Sequence, residues 1–468
     1  MRKLIARSLA GALLAVLILA GLAWLGLRAS LPDLDGEAIV AGIDADVTIE
    51  RDADGIPVIT ASSRADLAFA TGYVHGQDRF FQMDLIRRRA SGELSALVGE
   101  AAVGIDKRFR FHRFRARAQR IYADTNDADR ALIDAYAAGV NAGLASLDAR
   151  PFEYALLGSE PQAWQPEDSL IVVYAMYVVL NDARATKEVR RGLVRRVLPP
   201  EVYAWMYPQG TPWDAPLMGG TRELAPIPSA DVYSIRHVAD AAPPAEEHGR
   251  YPLRGSNNWA VAGSLTVNGH ALVSNDMHLG HSTPNIWYQA RLRVEGPEPI
   301  DVTGVGLPGT PFIVSGSNTR VAWGYTNSYG DWTDAVVLQP GAIEGTYRTP
   351  DGDLEFEVHT ETIEVMEGED VEYVIRETVW GPVVDGVDYP DGEIAVSWIA
   401  HKPEGLNLGL LRLESAASVA EALDIANTIA MPPQNFVAGD AAGNIGWTIA
   451  GAIPRKRGFD AMLPSDWS

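Results

Sequence analysis

No cysteine occurs among the 468 residues. That absence excludes disulfides, thiolate-bound zinc, iron–sulfur clusters and thiol catalysis together. Basic residues are also in short supply: 39 Lys and Arg stand against 61 Asp and Glu, a formal charge of −22. Phosphate recognition needs clustered cations, so no nucleic-acid partner is expected. A G-x-S-x-G elbow, an H-E-x-x-H helix, an EF-hand loop and any internal repeat are missing too, which removes the commonest hydrolase and zinc-protease signatures. The composition that remains, 47% hydrophobic and 21% charged, is that of a folded globular protein. At ~150 residues per domain the length suggests about three units.

The chain opens on Arg2, Lys3 and Arg7, and residues 8–27 then carry no charge. A secretory apolar region runs ~7–15 residues and a membrane span ~20, so a cleaved signal peptide and an uncleaved signal-anchor both fit residues 1–30. Either implies export, to the periplasm or beyond, with possible anchoring to the inner membrane by residues 8–27.

Beyond it three textures follow one another. A strand at 47–51 ends in the turn Asp54-Gly55 before Pro57. Apolar residues at three- and four-residue spacing predict helices over 64–99, 127–147 and 168–198. Between 221 and 255 Pro226, Pro228, Pro243 and Pro244 interrupt a stretch without period, which reads as an exposed linker. After Ser256 short β-branched or aromatic runs predict strands at 259–261, 271–274, 287–292, 312–314, 321–325 and 335–338. A hairpin region at 354–365 and 371–379 and a helix at 417–429 complete the pattern. Helices first and strands second predict an α+β layered core, not a doubly wound sheet.

Gly304-Val305-Gly306-Leu307-Pro308-Gly309 spells a dinucleotide fingerprint. Pro308 and the strand-like residues after it favour a turn over a helix N-terminus facing a pyrophosphate. A second feature is Gly255-Ser256-Asn257-Asn258-Trp259, where the linker meets the strands. If the Gly255–Ser256 bond were cut, Ser256 would carry an α-amine with an ordinary pKa of ~7.7–8.0, a base beside its own hydroxyl nucleophile. Composition alone favours a plain Gly-Ser turn.

Resemblance decides between them. Gly255-Ser256-Asn257-Asn258-Trp259 resembles the processing site of the penicillin acylase family, within the N-terminal nucleophile hydrolases. Glu50-Arg51-Asp52 with Gly55-Ile56-Pro57, and Gly72-Tyr73-Val74-His75-Gly76-Gln77-Asp78-Arg79-Phe80, are similar to the family's opening segment and first long helix. Asn275-Asp276-Met277-His278-Leu279, Trp323-Gly324-Tyr325-Thr326-Asn327, Pro433-Gln434-Asn435-Phe436 and Gly443-Asn444-Ile445-Gly446 follow in family order.

The resemblance implies a four-layer αββα sandwich. It divides the chain into an α-subunit region (31–220), a spacer cut or removed on maturation (221–255) and a β-subunit region (256–468). It implies self-cleavage by Ser256 at the Gly255 carbonyl, then hydrolysis of a small N-acyl amide such as a β-lactam or an acyl-homoserine lactone. Asn327 would give a backbone oxyanion donor, with Ser328 the alternative one residue on. His278 would orient and tune Ser256, and Leu279, Phe312 and Ser315 would line the acyl pocket. A structural calcium ion, with no organic cofactor, would be held by Glu188, Asp331, Thr333, Asp334 and Pro454. The family's second oxyanion donor, an Asn, and any carboxylate partner of His278 are expected beyond residue 468, so the chain is expected to be partial. A rival expectation is an envelope protein that keeps the fold as a binding or scaffold module.

Overall fold

The computed structural model describes residues 2–208, 210–214, 220, 223–234 and 255–468. Most of the predicted linker therefore lies outside the described residues, and 223–234 contains no helix or strand. The chain starts with α1 (Arg2–Ala29), whose residues 7–29 are apolar, unburied and long enough to cross a membrane. Its end is tied to the body, because Ala149 N–H donates to the Ala29 carbonyl at 2.9 Å.

The hairpin β1 (Thr48–Arg51) and β2 (Pro57–Ala61) precedes the helical part. That part comprises α2 (Arg64–Ser91), α3 (Ser95–Val98), α4 (Val103–Arg110), α5 (Phe114–Asp124), α6 (Asp127–Ala145), α7 (Phe152–Leu157), α8 (Asp168–Leu180), α9 (Thr186–Val197) and α10 (Pro200–Met206). Ser63 caps α2 by accepting from Asp66 N–H, and Gly92 ends it at φ 69°, in the left-handed region a glycine enters without strain. The predicted 64–99 helix thus stops at Ser91. The predicted 168–198 helix is likewise two helices, broken where Ala185 adopts φ 52°.

Why α2 and α6 pack so closely is written in their glycines. A Cβ at Gly72 would lie 2.2 Å from the Tyr136 carbonyl oxygen, and one at Gly139 would lie 1.9 Å from that of Phe69. Each helix carries a second glycine four residues on, Gly76 and Gly143, in the same seam. Only backbone without side chains permits that contact.

The remaining strands are β3 (Gly255–Val261), β4 (Leu272–His278), β5 (Tyr288–Val294), β6 (Ile300–Gly306), β7 (Ile313–Ser317), β8 (Val321–Asn327), β9 (Thr333–Val337), β10 (Thr346–Thr349), β11 (Gly352–Glu355), β12 (Glu357–Ile363), β13 (Val371–Glu377), β14 (Ile394–Trp398), β15 (Gln434–Asp440), β16 (Ile445–Ala450) and β17 (Ser465–Asp466). A short helix, α11 (Val419–Ala426), sits where 417–429 was expected. Eight strands form one sheet in the order β1-β2-β5-β6-β7-β8-β15-β16, antiparallel except between β2 and β5. A smaller sheet runs β14-β9-β17.

One face of the large sheet packs on the helices: Leu67 and Val74 of α2 and Leu170 and Tyr174 of α8 share a core with Leu292, Trp323 and Phe436. The hairpin β3–β4 lies across β8 and β15. Helices, large sheet and hairpin follow one another as the first three layers of the expected sandwich, and the chain is α+β. Gly304 and Gly306 are both in β6, and the turn that follows (Thr310 N–H to the Leu307 carbonyl, 3.0 Å) leads to β7, not to a phosphate-binding helix.

Candidate active site

Ser256 is the second residue of β3. In the ladder Gly255 faces His278 and Ser256 faces Met277. The Ser256 hydroxyl donates to the Gly255 carbonyl oxygen at 2.6 Å. The hydroxyl oxygen is thus held against the peptide group on its own N-terminal side.

Ser256 and Met277 border a small apolar cleft. Leu279 and Phe312 line it, joined by Met176 and Leu180 from α8, Trp287 and Met431. Tyr325 is buried in its wall with a phenol oxygen that meets no partner. Burial raises that phenol's pKa, so it is a neutral donor. Ser315 does not line the cleft. Its hydroxyl is spent inside the protein, donating to Asn275 Oδ1 at 2.9 Å and to the Trp323 carbonyl at 3.1 Å.

Asn275 is the pin that fixes the hairpin to β8. Its Oδ1 also accepts from Tyr325 N–H at 3.0 Å, and its Nδ2 donates to the Tyr325 carbonyl at 2.8 Å. The pin needs a glycine opposite, since a Cβ at Gly324 would lie 2.7 Å from that of Asn275.

Successive strand residues point to opposite faces. With Ser256 and Met277 turned to the cleft, His278 is turned away, and its Nδ1 comes within 3.5 Å of where a Cβ on Gly255 would stand. His278 therefore addresses the glycine side of the candidate scissile bond, not the serine hydroxyl. Its Nε2 lies 2.7 Å from Asp276 Oδ2. That hydrogen bond holds the Asp276 carboxyl below its usual range. The expectation that a carboxylate partner of His278 lies beyond residue 468 is corrected by this contact: one stands two positions upstream, on the same strand face.

Asn327 closes β8 in register with Gln434. Its amide Nδ2 donates to the Leu180 carbonyl at 2.9 Å and its own carbonyl accepts from Asn435 Nδ2 at 3.3 Å. The Ser328 hydroxyl donates to the Pro433 carbonyl at 2.5 Å. Gln434, rather than Asn327 or Ser328, borders the cleft beside Ser256.

A separate polar cluster joins α9 to β9. One carboxylate oxygen from each of Glu188, Asp331 and Asp334 lies within 4.8 Å of the others. Glu188 is 4% exposed. Its Oε2 accepts from Ala335 N–H at 2.8 Å, while its buried Oε1 has no partner. Burial raises its pKa to about 9, and burial likewise raises that of Asp334. Thr333 is buried beside them and its Oγ1 is unpartnered. A buried set of hard oxygens with unsatisfied lone pairs suits a hard divalent cation. Pro454 lies in the segment after β16, two residues before Lys456, whose Nζ is 2.7 Å from Asp331 Oδ2 and 2.9 Å from Asp334 Oδ1.

Sequence reasoning missed Asp276, Asn275 and Lys456. Asp276 had a usable signal, because residues 276 and 278 share a face once the strand is drawn through His278 and not ended at 274. Lys456 had none, being more than a hundred residues from its partners.

Comparison with known proteins agrees with the motif order. The penicillin amidase family profile matches residues 46–468. Penicillin acylase 2 proenzyme from a Pseudomonas species is 32% identical over 94% of this chain and 57% of its own length. Acyl-homoserine lactone acylase QuiP from Pseudomonas aeruginosa is 30% identical over 93% of this chain and 53% of its own. The chain therefore spans about half the length of these curated relatives. A thermostable penicillin G acylase structure from Alcaligenes faecalis overlaps 45% of this chain and 38% of its own at 24% identity, with a TM-score of 0.39, too little to add weight to the family match.

Proposed function

We propose that this chain, a member of the penicillin amidase family, is a self-processing hydrolase that removes an acyl group from a small amide. The observation that carries the reading is the 2.6 Å hydrogen bond from the Ser256 hydroxyl to the Gly255 carbonyl at the edge of an apolar cleft. In the processing step Ser256 Oγ attacks the Gly255 carbonyl carbon. The C–N bond then breaks, its nitrogen takes the proton as the α-amine, and an ester links Gly255 to Ser256. Water hydrolyses that ester, releasing the Gly255 carboxylate and restoring the hydroxyl. The free amine of Ser256 is the base for the next reaction.

In turnover the amine takes the hydroxyl proton as Oγ attacks the substrate carbonyl. The proton passes to the leaving amine, and water then frees the acyl group from the serine ester. The oxyanion donor that the family resemblance implies is the backbone N–H of Asn327, which pairs in the sheet with the cleft-lining Gln434; such a donor contributes about 3–4 kcal/mol. His278, bonded to Asp276, positions the segment around Gly255. The apolar lining from Leu279, Phe312, Met176 and Trp287 selects an apolar acyl group. The relatives' names point to β-lactam or acyl-homoserine lactone amides. Glu188, Asp331 and Asp334, with the Thr333 and Pro454 carbonyls, would hold calcium, which when bound supplies positive charge that clamps α9 to β9. The apolar α1 serves export as a signal peptide or inner-membrane anchor.

The test is N-terminal sequencing of the purified protein beside its Ser256→Ala variant. A new terminus at Ser256, absent in the variant, is the expected result. An intact parent chain, or cutting that survives in Ser256→Ala, would overturn the reading and leave the scaffold alternative.

A further inference from the structure

Lys456 is the residue the proposed calcium set does not account for. Its side chain is 13% exposed, and its ammonium stands between Asp331 and Asp334 at 2.7 and 2.9 Å. The same two carboxylates approach Glu188, whose buried Oε1 is unpartnered and belongs to the same cluster. A calcium ion takes six to eight oxygens at about 2.3–2.6 Å, so its centre would fall among these carboxylates. An ammonium in ion-pair contact with two of them fills that volume. Two cations side by side there, in a mostly buried cluster, would repel.

Resting on the calcium reading above, we propose that Lys456 is a built-in counter-ion. It holds the carboxylates of Asp331 and Asp334 when no metal is bound, and it leaves the cluster when calcium enters. The backbone around it is suited to that exchange. Residues 451–464, between β16 and β17, form no helix or strand. They lie along α9 through contacts apart from the cluster: Arg191 Nη1 donates to Met462 Sδ at 3.4 Å, and Arg195 is 3.8 Å from Asp460. The lysine can swing out while these contacts keep the segment in place. Two consequences follow. The α9–β9 clamp persists without metal, because one cation substitutes for another. Calcium affinity is lower than the carboxylates alone would give, because binding includes expulsion of an ammonium.

The experiment compares the EDTA-stripped full chain with its Lys456→Gln variant, titrating each with calcium chloride by calorimetry and by thermal melting. Lys456→Gln is expected to bind calcium at least about tenfold tighter and, in EDTA, to melt lower than the parent. Equal calcium affinity and equal melting in EDTA would overturn the proposal while leaving calcium binding intact. No calcium response in either protein would overturn the calcium reading and this proposal together. A measurement on the parent alone guards against a variant that does not fold without metal. Calcium is expected to speed tryptic cutting at residues 455–457 as the lysine leaves, and protection of these sites by calcium would overturn the displacement.

Discussion

The β3–β4 hairpin and the α9–β9 cluster are built from the same side-chain chemistry in opposite surroundings. On the hairpin, Asp276 and His278 are 59% and 47% exposed, and their hydrogen bond lowers the carboxyl pKa. In the cluster, Glu188 and Asp334 are buried, and burial raises theirs. Water reaches both members of the first pair, so the pair can change partners at little cost. The second group is stable only with a cation among it. The exposed construction is suited to chemistry and the buried one to holding two parts of the chain together.

Two substitutions would break that contrast if it is wrong. The larger stability effect belongs to the cluster: Asp334→Ala removes one of the two carboxylates around the buried Lys456 ammonium and should cost about 3 kcal/mol, read by chemical denaturation. A loss below about 0.5 kcal/mol, the level of an ordinary surface change, would place the cluster with the hairpin. Asp276→Asn should do the reverse. Melting stays as in the parent, while release of the Ser256 terminus slows about tenfold, less than the loss of a positioned acid–base group itself because Asp276 acts through His278. The rate is read from the uncut band over time, and an unchanged rate would make the Asp276–His278 pair ornamental to processing.

How far the sequence revealed these two regions follows from the range of the interactions that build them. The start of the hairpin was readable, because Gly-Ser-Asn-Asn-Trp changes the texture of the chain in one step. Its second strand was drawn too short, because Asn275 and Asp276 look like loop residues. In the fold Asn275 bonds the backbone of β8, a contact fifty positions away that local pattern does not carry. Ser315 was assigned to the pocket for the same reason: whether a strand hydroxyl faces a cleft or an Asn side chain depends on which strand covers it. The α8–α9 break escaped notice because apolar spacing continues through 181–185 while the backbone turns at Ala185. The acidic ligands of the cluster were readable through their motif, but the lysine among them was not.

Histidine offers the finest test of the contrast, since one residue type occurs in both settings. His75 is 3% exposed, with Nδ1 2.7 Å from the Tyr136 hydroxyl, and burial followed by the nearby Arg79 charge lowers its pKa from 6.5 to about 3. His112 and His401, 3.0 Å apart and both buried, are lowered as well. A histidine depressed in the folded state binds its proton first in the unfolded state. Stability from His75 is therefore complete above pH 6.5 and is lost as pH falls from there toward 3. Each such group steepens the acid limb by up to about 1.4 kcal/mol per pH unit. His75→Gln should cost some stability at neutral pH yet flatten the curve between pH 6 and pH 4 by about one proton, measured by denaturant titration at each pH. If His75→Gln leaves the acid limb as steep as in the parent, burial of this ring is not what sets it.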